Sequence, residues 1–140
     1  MTVYSHSRLS CYEQCPQKFK FHYIDKVETE EEETVEAFLG IRVHEALEKL
    51  YRDLQHQKEN TLDELLSFFE NEWNTNWSDD IFIVNDEYGP ENYVKMARRY
   101  ISDYYKRYHP FTQGKTVALE ELIQIPLDAD GDYKLRGFID

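Results

Sequence analysis

The sequence contains too few cysteines for a covalent or metal-bound framework of its own. Only Cys11 and Cys15 occur in 140 residues. Two thiols cannot complete a four-cysteine zinc or iron–sulfur site, and a pair four residues apart is a poor cross-link for a fold. A disulfide-rich scaffold and a self-contained thiolate metal centre are therefore excluded.

Long apolar runs and a positive overall charge are also lacking. No window approaches the ~18 consecutive apolar residues of a membrane span, and the N-terminus has no signal-peptide pattern. The 16 basic residues are outnumbered by 28 acidic ones, so the formal charge of −12 repels a phosphate backbone overall. We therefore expect a cytoplasmic protein without a membrane partner, in which any basic surface is local.

Aromatic residues and helical periodicity, in contrast, are plentiful. Eleven tyrosines, eight phenylalanines and two tryptophans supply enough contact area for one core, which predicts a single domain over residues 1–140. Apolar residues recur at helical spacing, and Thr61 with Glu64 forms a capping-box signal. These patterns predict helices over about 7–14, 17–24, 34–55, 61–75 and 90–108.

The C-terminal part changes to a strand pattern. Two apolar runs flank the Asp/Gly-rich stretch from Asp128 to Asp132, which predicts an antiparallel hairpin with strands over about 116–126 and 133–140. Such a hairpin is marginal alone and needs other elements to cover it. Residues 81–84 are compatible with a short strand or a packed loop. The predicted fold class is α+β, mostly α, with a final strand that we expect to be cut in its middle.

Three separated segments together resemble the RecB-family exonucleases of the PD-(D/E)XK superfamily, which include helicase-associated and CRISPR-associated members. The segments are residues 5–9 with Cys15-Pro16-Gln17-Lys18-Phe19, then Gly40-Ile41-Arg42-Val43-His44, and finally Gly137-Phe138-Ile139-Asp140 behind residues 120–127. In this order they span nearly the whole chain. The resemblance implies that the helical region precedes the first hairpin of a restriction-endonuclease-like core, which is incomplete after Asp140.

The resemblance assigns His44 and Asp140 to a metal site. His44 corresponds to the family's helix-borne metal ligand, and Asp140 to its first metal-binding carboxylate. The implied cofactor is Mg²⁺ or Mn²⁺, which polarises the scissile phosphate and activates water; imidazole suits Mn²⁺ better. Without the resemblance, His44 would be interpreted as a surface histidine partnered with Glu48, and Asp140 as an exposed terminal carboxylate.

The strand that carries the family's second acid and the lysine of its Asp/Glu-x-Lys motif has no counterpart. Asp132-Tyr133-Lys134 matches the Asp-x-Lys triplet, and Asp128, behind Pro126-Leu127, matches the acid of a Pro-Asp motif. However, Asp128 and Asp132 lie within one predicted turn, so they cannot come from adjacent strands as the active site requires. We therefore predict that these 140 residues alone are inactive.

Three further residues are candidates for binding. Cys15 before Pro16 corresponds to the first ligand of the 4Fe–4S cluster in some family members, whose other three cysteines would follow Asp140. The alternative is a small buried hydrophobe at a helix break. Arg8 and Lys18 belong to an N-terminal basic group that we assign to DNA contact, with solvated helix-surface cations as the alternative.

The resulting function is that of the N-terminal part of a metal-dependent DNA exonuclease acting on single strands or duplex ends. The resemblance places it in DNA repair, recombination or CRISPR-type DNA processing, with a helicase or a CRISPR-associated protein as partner. The alternative is a non-catalytic, nuclease-like module that binds DNA or a protein.

Overall fold

A computed structural model describes residues 2–29 and 32–139. In chain order its elements are β1 (Thr2–Ser5), α1 (His6–Gln14), α2 (Pro16–Phe19) with a following π-helical turn (Lys20–Ile24), α3 (Val35–Gln55), α4 (Leu62–Asn76), α5 (Pro90–Tyr108), β2 (Glu121–Pro126) and β3 (Tyr133–Ile139). The predicted α+β class with predominant helix is confirmed. The chain forms two compact units, one made of residues 31–117 and the other of residues 1–30 with 118–140.

The unit of residues 31–117 is helical and is built on one buried face of each of its helices. Apolar side chains recur every three or four residues, so they form a stripe that faces the neighbouring helices. Phe69 of α4 is fully buried, and Trp73 packs against Phe38 with ring centroids 4.9 Å apart. The largest fully buried side chains are Phe69, Leu50, Leu65, Ile101, Val35 and Asn60.

Side-chain caps fix where α3 and α4 begin. Thr34 Oγ1 accepts a hydrogen bond from the backbone N–H of Ala37 at 3.3 Å. Thr61 Oγ1 accepts from Glu64 N at 3.2 Å, while Glu64 Oε2 accepts from Thr61 N at 2.8 Å. The capping box expected from the sequence is thus present, and each cap satisfies amides that lack an intrahelical partner.

A buried polar network joins the end of α3 to the segment before α4. The Asp53 carboxylate accepts hydrogen bonds from Lys49 Nζ and Asn60 Nδ2, both at 2.8 Å. Tyr105 of α5 donates its hydroxyl to the carbonyl oxygen of Asn60 at 2.9 Å. The lysine and asparagine hydrogen bonds lower the pKa of Asp53 from 3.8 to about 2. The network therefore depends on an ionised carboxylate.

Residues 81–84 form a packed loop rather than a strand. Ile81 is buried in the helical core, and Phe82 makes an isolated parallel bridge with Thr34. The Val35 N–H donates to Phe82 O at 3.0 Å, and the Phe82 N–H donates to Glu33 O at 2.8 Å. Because residue 82 makes only an isolated bridge, residues 81–84 are a loop, and this bridge attaches the loop to the start of α3.

The other unit contains a three-stranded sheet in the order β1-β3-β2. β2 and β3 form the predicted antiparallel hairpin, with Ile123 opposite Gly137. Asp128 Oδ1 accepts from Tyr133 N at 3.1 Å across the turn, where Gly131 has a φ of +71°. β2 begins later than expected because Glu120 has a φ of +49°, a left-handed conformation that interrupts an extended strand.

The sequence interpretation missed β1, an edge strand that pairs in parallel with the central strand β3. Tyr4 lies opposite Leu135, and Thr2 N donates to Asp132 O at 2.6 Å. Four residues are too few to reveal an alternating pattern, and the partner strand lies at the other end of the sequence. Ser5 ends β1 and caps α1, with its Oγ accepting from Arg8 N at 3.2 Å.

Candidate functional site

His44 lies on α3 and is exposed to solvent, outside the stripe of buried side chains that includes Leu39 and Ala46. Gly40 is one turn earlier, so both residues lie on the same side of the helix. A Cβ built on Gly40 would meet no described atom within 4 Å. Packing in the described part of the chain therefore does not require a glycine there, whereas a close-approaching ligand would.

Glu48, the alternative partner for His44 in the sequence interpretation, forms an ion pair with Arg52 on the next turn of α3. Both side chains lie on the surface of the helix, and the pair has the i,i+4 spacing that stabilises exposed helices modestly.

A partly buried ion pair flanks His44 in sequence. Arg42 stacks on the ring of Phe38 at 5.0 Å and donates from Nη2 to Glu45 Oε1 at 3.1 Å. Burial raises the pKa of Glu45, and the positive charge of Arg42 opposes this effect. Arg42 Nε and Glu45 Oε2 are buried and have no hydrogen-bond partner among the described residues. An imidazole and a partly buried carboxylate thus occupy consecutive positions of α3, which project in different directions.

Asp140, the second predicted metal ligand, lies outside the described residues. The described part of β3 ends at Ile139, which pairs with Glu121 of β2. Gly137 precedes it, and a Cβ added there would also meet no described atom within 4 Å. The pairing of His44 with Asp140 at one metal therefore stays a prediction.

The described side chains do not by themselves form a complete metal centre. No group of three or more His, Cys, Asp or Glu residues within residues 2–29 and 32–139 could hold an ion. Asp128, the acid of the apparent Pro-Asp motif, instead accepts a hydrogen bond from Tyr133 N in the hairpin turn. A metal at His44 would require donors beyond this set, of which Asp140 is one candidate.

Cys15 is exposed and marks the break between α1 and α2. Its Sγ accepts a hydrogen bond from Lys18 N at 3.4 Å, so the thiol serves as the N-cap of α2. The alternative that Cys15 is a small buried hydrophobe is wrong. Lys18 is likewise exposed, which is compatible with either contact to DNA or simple solvation.

Arg8 has a different environment from the other N-terminal cations. Its guanidinium lies 5.1 Å from the ring centre of Tyr4, 5.6 Å from that of Phe19 and 5.3 Å from that of Tyr23. Arg8 Nη1 also donates to the carbonyl oxygen of Val3 at 3.2 Å. These contacts connect β1, α1 and the segment after Pro16, so Arg8 stabilises the fold around it whether or not it also contacts DNA.

The sequence interpretation predicted α5 but overlooked its positive charge, although α5 has more basic residues than the other described helices. Five of the 16 basic residues lie in this 19-residue element, which contains only two acidic residues. The strongly negative charge of the whole chain concealed this local excess. A charge count for each predicted helix would have found it.

No helix in the described ranges is both long enough and apolar enough to cross a membrane. A family model for the PD-(D/E)XK nuclease superfamily matches residues 3–140, nearly the entire sequence. No curated protein and no solved structure matches the chain.

Proposed function

Because the chain belongs to the PD-(D/E)XK nuclease superfamily, we propose that it is the N-terminal part of a metal-dependent DNA exonuclease of the RecB type. The single observation that carries the nuclease part of this proposal is the superfamily match over residues 3–140. Members of the superfamily are generally nucleases and typically use Mg²⁺ or Mn²⁺. The RecB-like segments support single strands or duplex ends as substrate, in repair, recombination or CRISPR-type processing with a helicase or CRISPR-associated partner.

In this proposal His44 and Asp140 contribute two ligands of the catalytic metal. The exposure of His44 on a rigid helix supports this role, as does the preceding Gly40, which leaves room for a close approach. A bound divalent metal would polarise the phosphate and lower the pKa of the attacking water.

The remaining groups of the motif come from outside these 140 residues in our proposal. The Asp132-Tyr133-Lys134 triplet begins at the hairpin turn, whereas the required acid and lysine belong on the strand that follows Asp140. The 140 residues alone should therefore bind metal weakly and leave DNA uncut. Cleavage should need a longer native protein that carries the missing motif.

We also infer that Cys15 is a candidate iron–sulfur ligand in such a longer protein. Its exposure at a helix break supports access to a cluster. Cys11 and Cys15 are the only cysteines here, so the three further thiolates that join Cys15 would have to be supplied elsewhere. Iron and sulfide analysis of the longest native protein, with Cys15→Ser beside it, tests this assignment.

A second candidate function is a non-catalytic, nuclease-like module that binds DNA or a protein. The observation that favours it is the lack of a complete metal-ligand group among the described residues. The two functions differ in one respect that is easily measured, because only the first requires metal-dependent bond cleavage.

The experiment uses the longest native protein that contains this sequence, incubated with end-labelled linear DNA and Mn²⁺ or Mg²⁺. Cleavage should fall at least about hundredfold in His44→Ala, since even outer-shell changes at metal sites cost ~10- to 100-fold. His56→Ala removes another exposed histidine, at the C-terminal end of α3, and should retain activity. Full activity of His44→Ala would contradict the site assignment, and DNA binding without cleavage by the wild type would favour the second function.

A further inference from the structure

Positive charge is concentrated on α5 in an otherwise acidic chain. Its five cations are Lys95, Arg98, Arg99, Lys106 and Arg107, against the acids Glu91 and Asp103. The neighbouring helix α4 contains four acidic residues and no basic one. The charge is therefore segregated between helices, and only α5 in the helical unit has a clear cationic excess.

Three of these cations point away from the helical core. Tyr93, Ala97 and Ile101 form the buried stripe of α5. At 100° per residue, Lys95, Arg99 and Lys106 lie within about 40° of one another on the opposite side. All three side chains are exposed. We call Lys95, Arg99 and Lys106 the basic face of α5.

Arg98 differs because it forms an ion pair with Glu70 of α4. This ion pair joins α5 to α4, so the charge of Arg98 is neutralised within the helical unit. The five cations of α5 therefore divide into Arg98, Arg107, whose guanidinium lies 5.5 Å from the ring centre of Tyr108, and the three residues of the basic face. The basic face lies on the surface where a partner can reach it.

The cations of the basic face are only weakly neutralised. Arg99 Nε lies 3.5 Å from Asp103 Oδ2, but the two side chains are 80% and 64% exposed, which makes the pair weak. Within the described ranges, no carboxylate lies within 4.0 Å of the ammonium group of Lys95 or Lys106. The basic face therefore keeps most of its charge for a partner.

We propose that the basic face of α5 binds the phosphate backbone of DNA, an inference that rests on the proposed nuclease function. The rise from Lys95 to Arg99 is about 6 Å and that from Arg99 to Lys106 is about 10 Å, so the cations form a row. Such a row of cations on a helix is complementary in charge to the phosphates of a polynucleotide backbone. The face holds backbone rather than reading bases, which suits an enzyme that degrades DNA of any sequence.

This row also provides a positively charged surface on a chain whose net charge repels DNA. A protein with a formal charge of −12 repels DNA over most of its surface. Contact through one cationic helix directs the DNA to a defined side of the helical unit. Three phosphate contacts would release counterions, so binding through this face must weaken as salt increases.

The test compares the triple variant Lys95→Gln, Arg99→Gln and Lys106→Gln with a matched control triple. The control is Arg52→Gln, Lys58→Gln and Lys115→Gln, which removes the same residue types and the same charge from exposed positions outside α5. The probe is a fluorescein-labelled linear duplex of about 20 base pairs, with EDTA present to prevent cleavage. Fluorescence anisotropy gives the Kd between about 50 and 200 mM KCl, and circular dichroism checks that each variant is folded.

We expect the α5 triple to raise the Kd roughly tenfold or more at low salt and the control triple to change it by less than about threefold. The slope of log K against log salt should become less steep by up to about 2.7 in the α5 triple, or about 0.9 for each lost phosphate contact.

Equal losses in the two triples would show a general charge effect and overturn the inference, as would an unchanged Kd in the α5 triple. In both cases the wild type still binds DNA, so the proposed nuclease function stands. A wild type that neither binds nor cuts DNA contradicts that function as well, which separates the two failures.

Discussion

Replacing Gly40 by alanine should stabilise the helical unit, although the position lies beside the proposed metal ligand. Gly40 occupies the interior of α3, and an added Cβ would meet no described atom within 4 Å. Glycine in a helix interior costs about 1 kcal/mol relative to alanine, largely because the unfolded chain is more flexible. We therefore expect Gly40→Ala to raise the free energy of unfolding by about 0.5–1 kcal/mol, and Tm by roughly 2–5 °C.

Urea denaturation followed by circular dichroism at 222 nm measures this change. Ala37→Gly makes the reverse exchange at an exposed position of the same helix and should lower the free energy of unfolding by up to about 1 kcal/mol. If Gly40 also permits close approach of metal or DNA, Gly40→Ala should be more stable yet cut DNA more slowly. Destabilisation by more than about 0.5 kcal/mol would refute the reasoning, because it would mean that the added methyl group has no room.

Three further predictions concern stability. Because the Asp53 pKa of about 2 is below its usual 3.8, its contribution is present above about pH 4 and is lost as the pH falls through 2. Between pH 5 and pH 2, the free energy of unfolding measured with urea should fall by about 1–2 kcal/mol less in Asp53→Asn than in the wild type. An equal fall in the two proteins would contradict this. Thr61→Ala removes the α4 cap and should cost about 1 kcal/mol by thermal denaturation, whereas an unchanged Tm would show that the capping box is not needed. Tyr105→Phe leaves the Asn60 carbonyl without this donor and should cost roughly 1–2 kcal/mol in urea; a neutral result would mean that water replaces the hydroxyl.

Local signals in the sequence were sufficient for much of the helical unit. Thr34 and Thr61 carry hydroxyl groups that cap a helix wherever the rest of the chain lies, and the structure shows both hydrogen bonds. The Asp/Gly-rich turn likewise defines the β2–β3 hairpin through the contact of Asp128 with Tyr133 N. These features depend on residues three to five positions apart, a range within which sequence patterns are informative.

Features that depend on distant residues were not predictable in the same way. β1 exists because Tyr4 pairs beside Leu135, a contact that no local pattern announces. Arg8 packs among three aromatic rings instead of extending freely into solvent, and its sequence neighbours do not specify this. The basic face of α5 was visible in the sequence but was obscured by the acidic total, since a net charge averages over opposite surfaces.

The candidate metal site depends on family resemblance more than on local physics. His44 lies on an exposed part of α3, as a ligand requires, but many surface histidines do the same. Asp140 lies outside the described residues, so the carboxylate half of the site is still a prediction. The superfamily match covers both positions but does not identify metal ligands. A direct measurement on the bound metal therefore decides whether His44 is a ligand.

That measurement is the electron spin-echo envelope modulation of Mn²⁺ bound to the longest native protein that contains this sequence. Imidazole coordinated to Mn²⁺ produces a characteristic nitrogen modulation. We predict that this modulation is present in the wild type and in His56→Ala, and that it is lost in His44→Ala together with Mn²⁺-dependent DNA cleavage. Nitrogen modulation and cleavage that both persist in His44→Ala would contradict the assignment of His44 as a metal ligand.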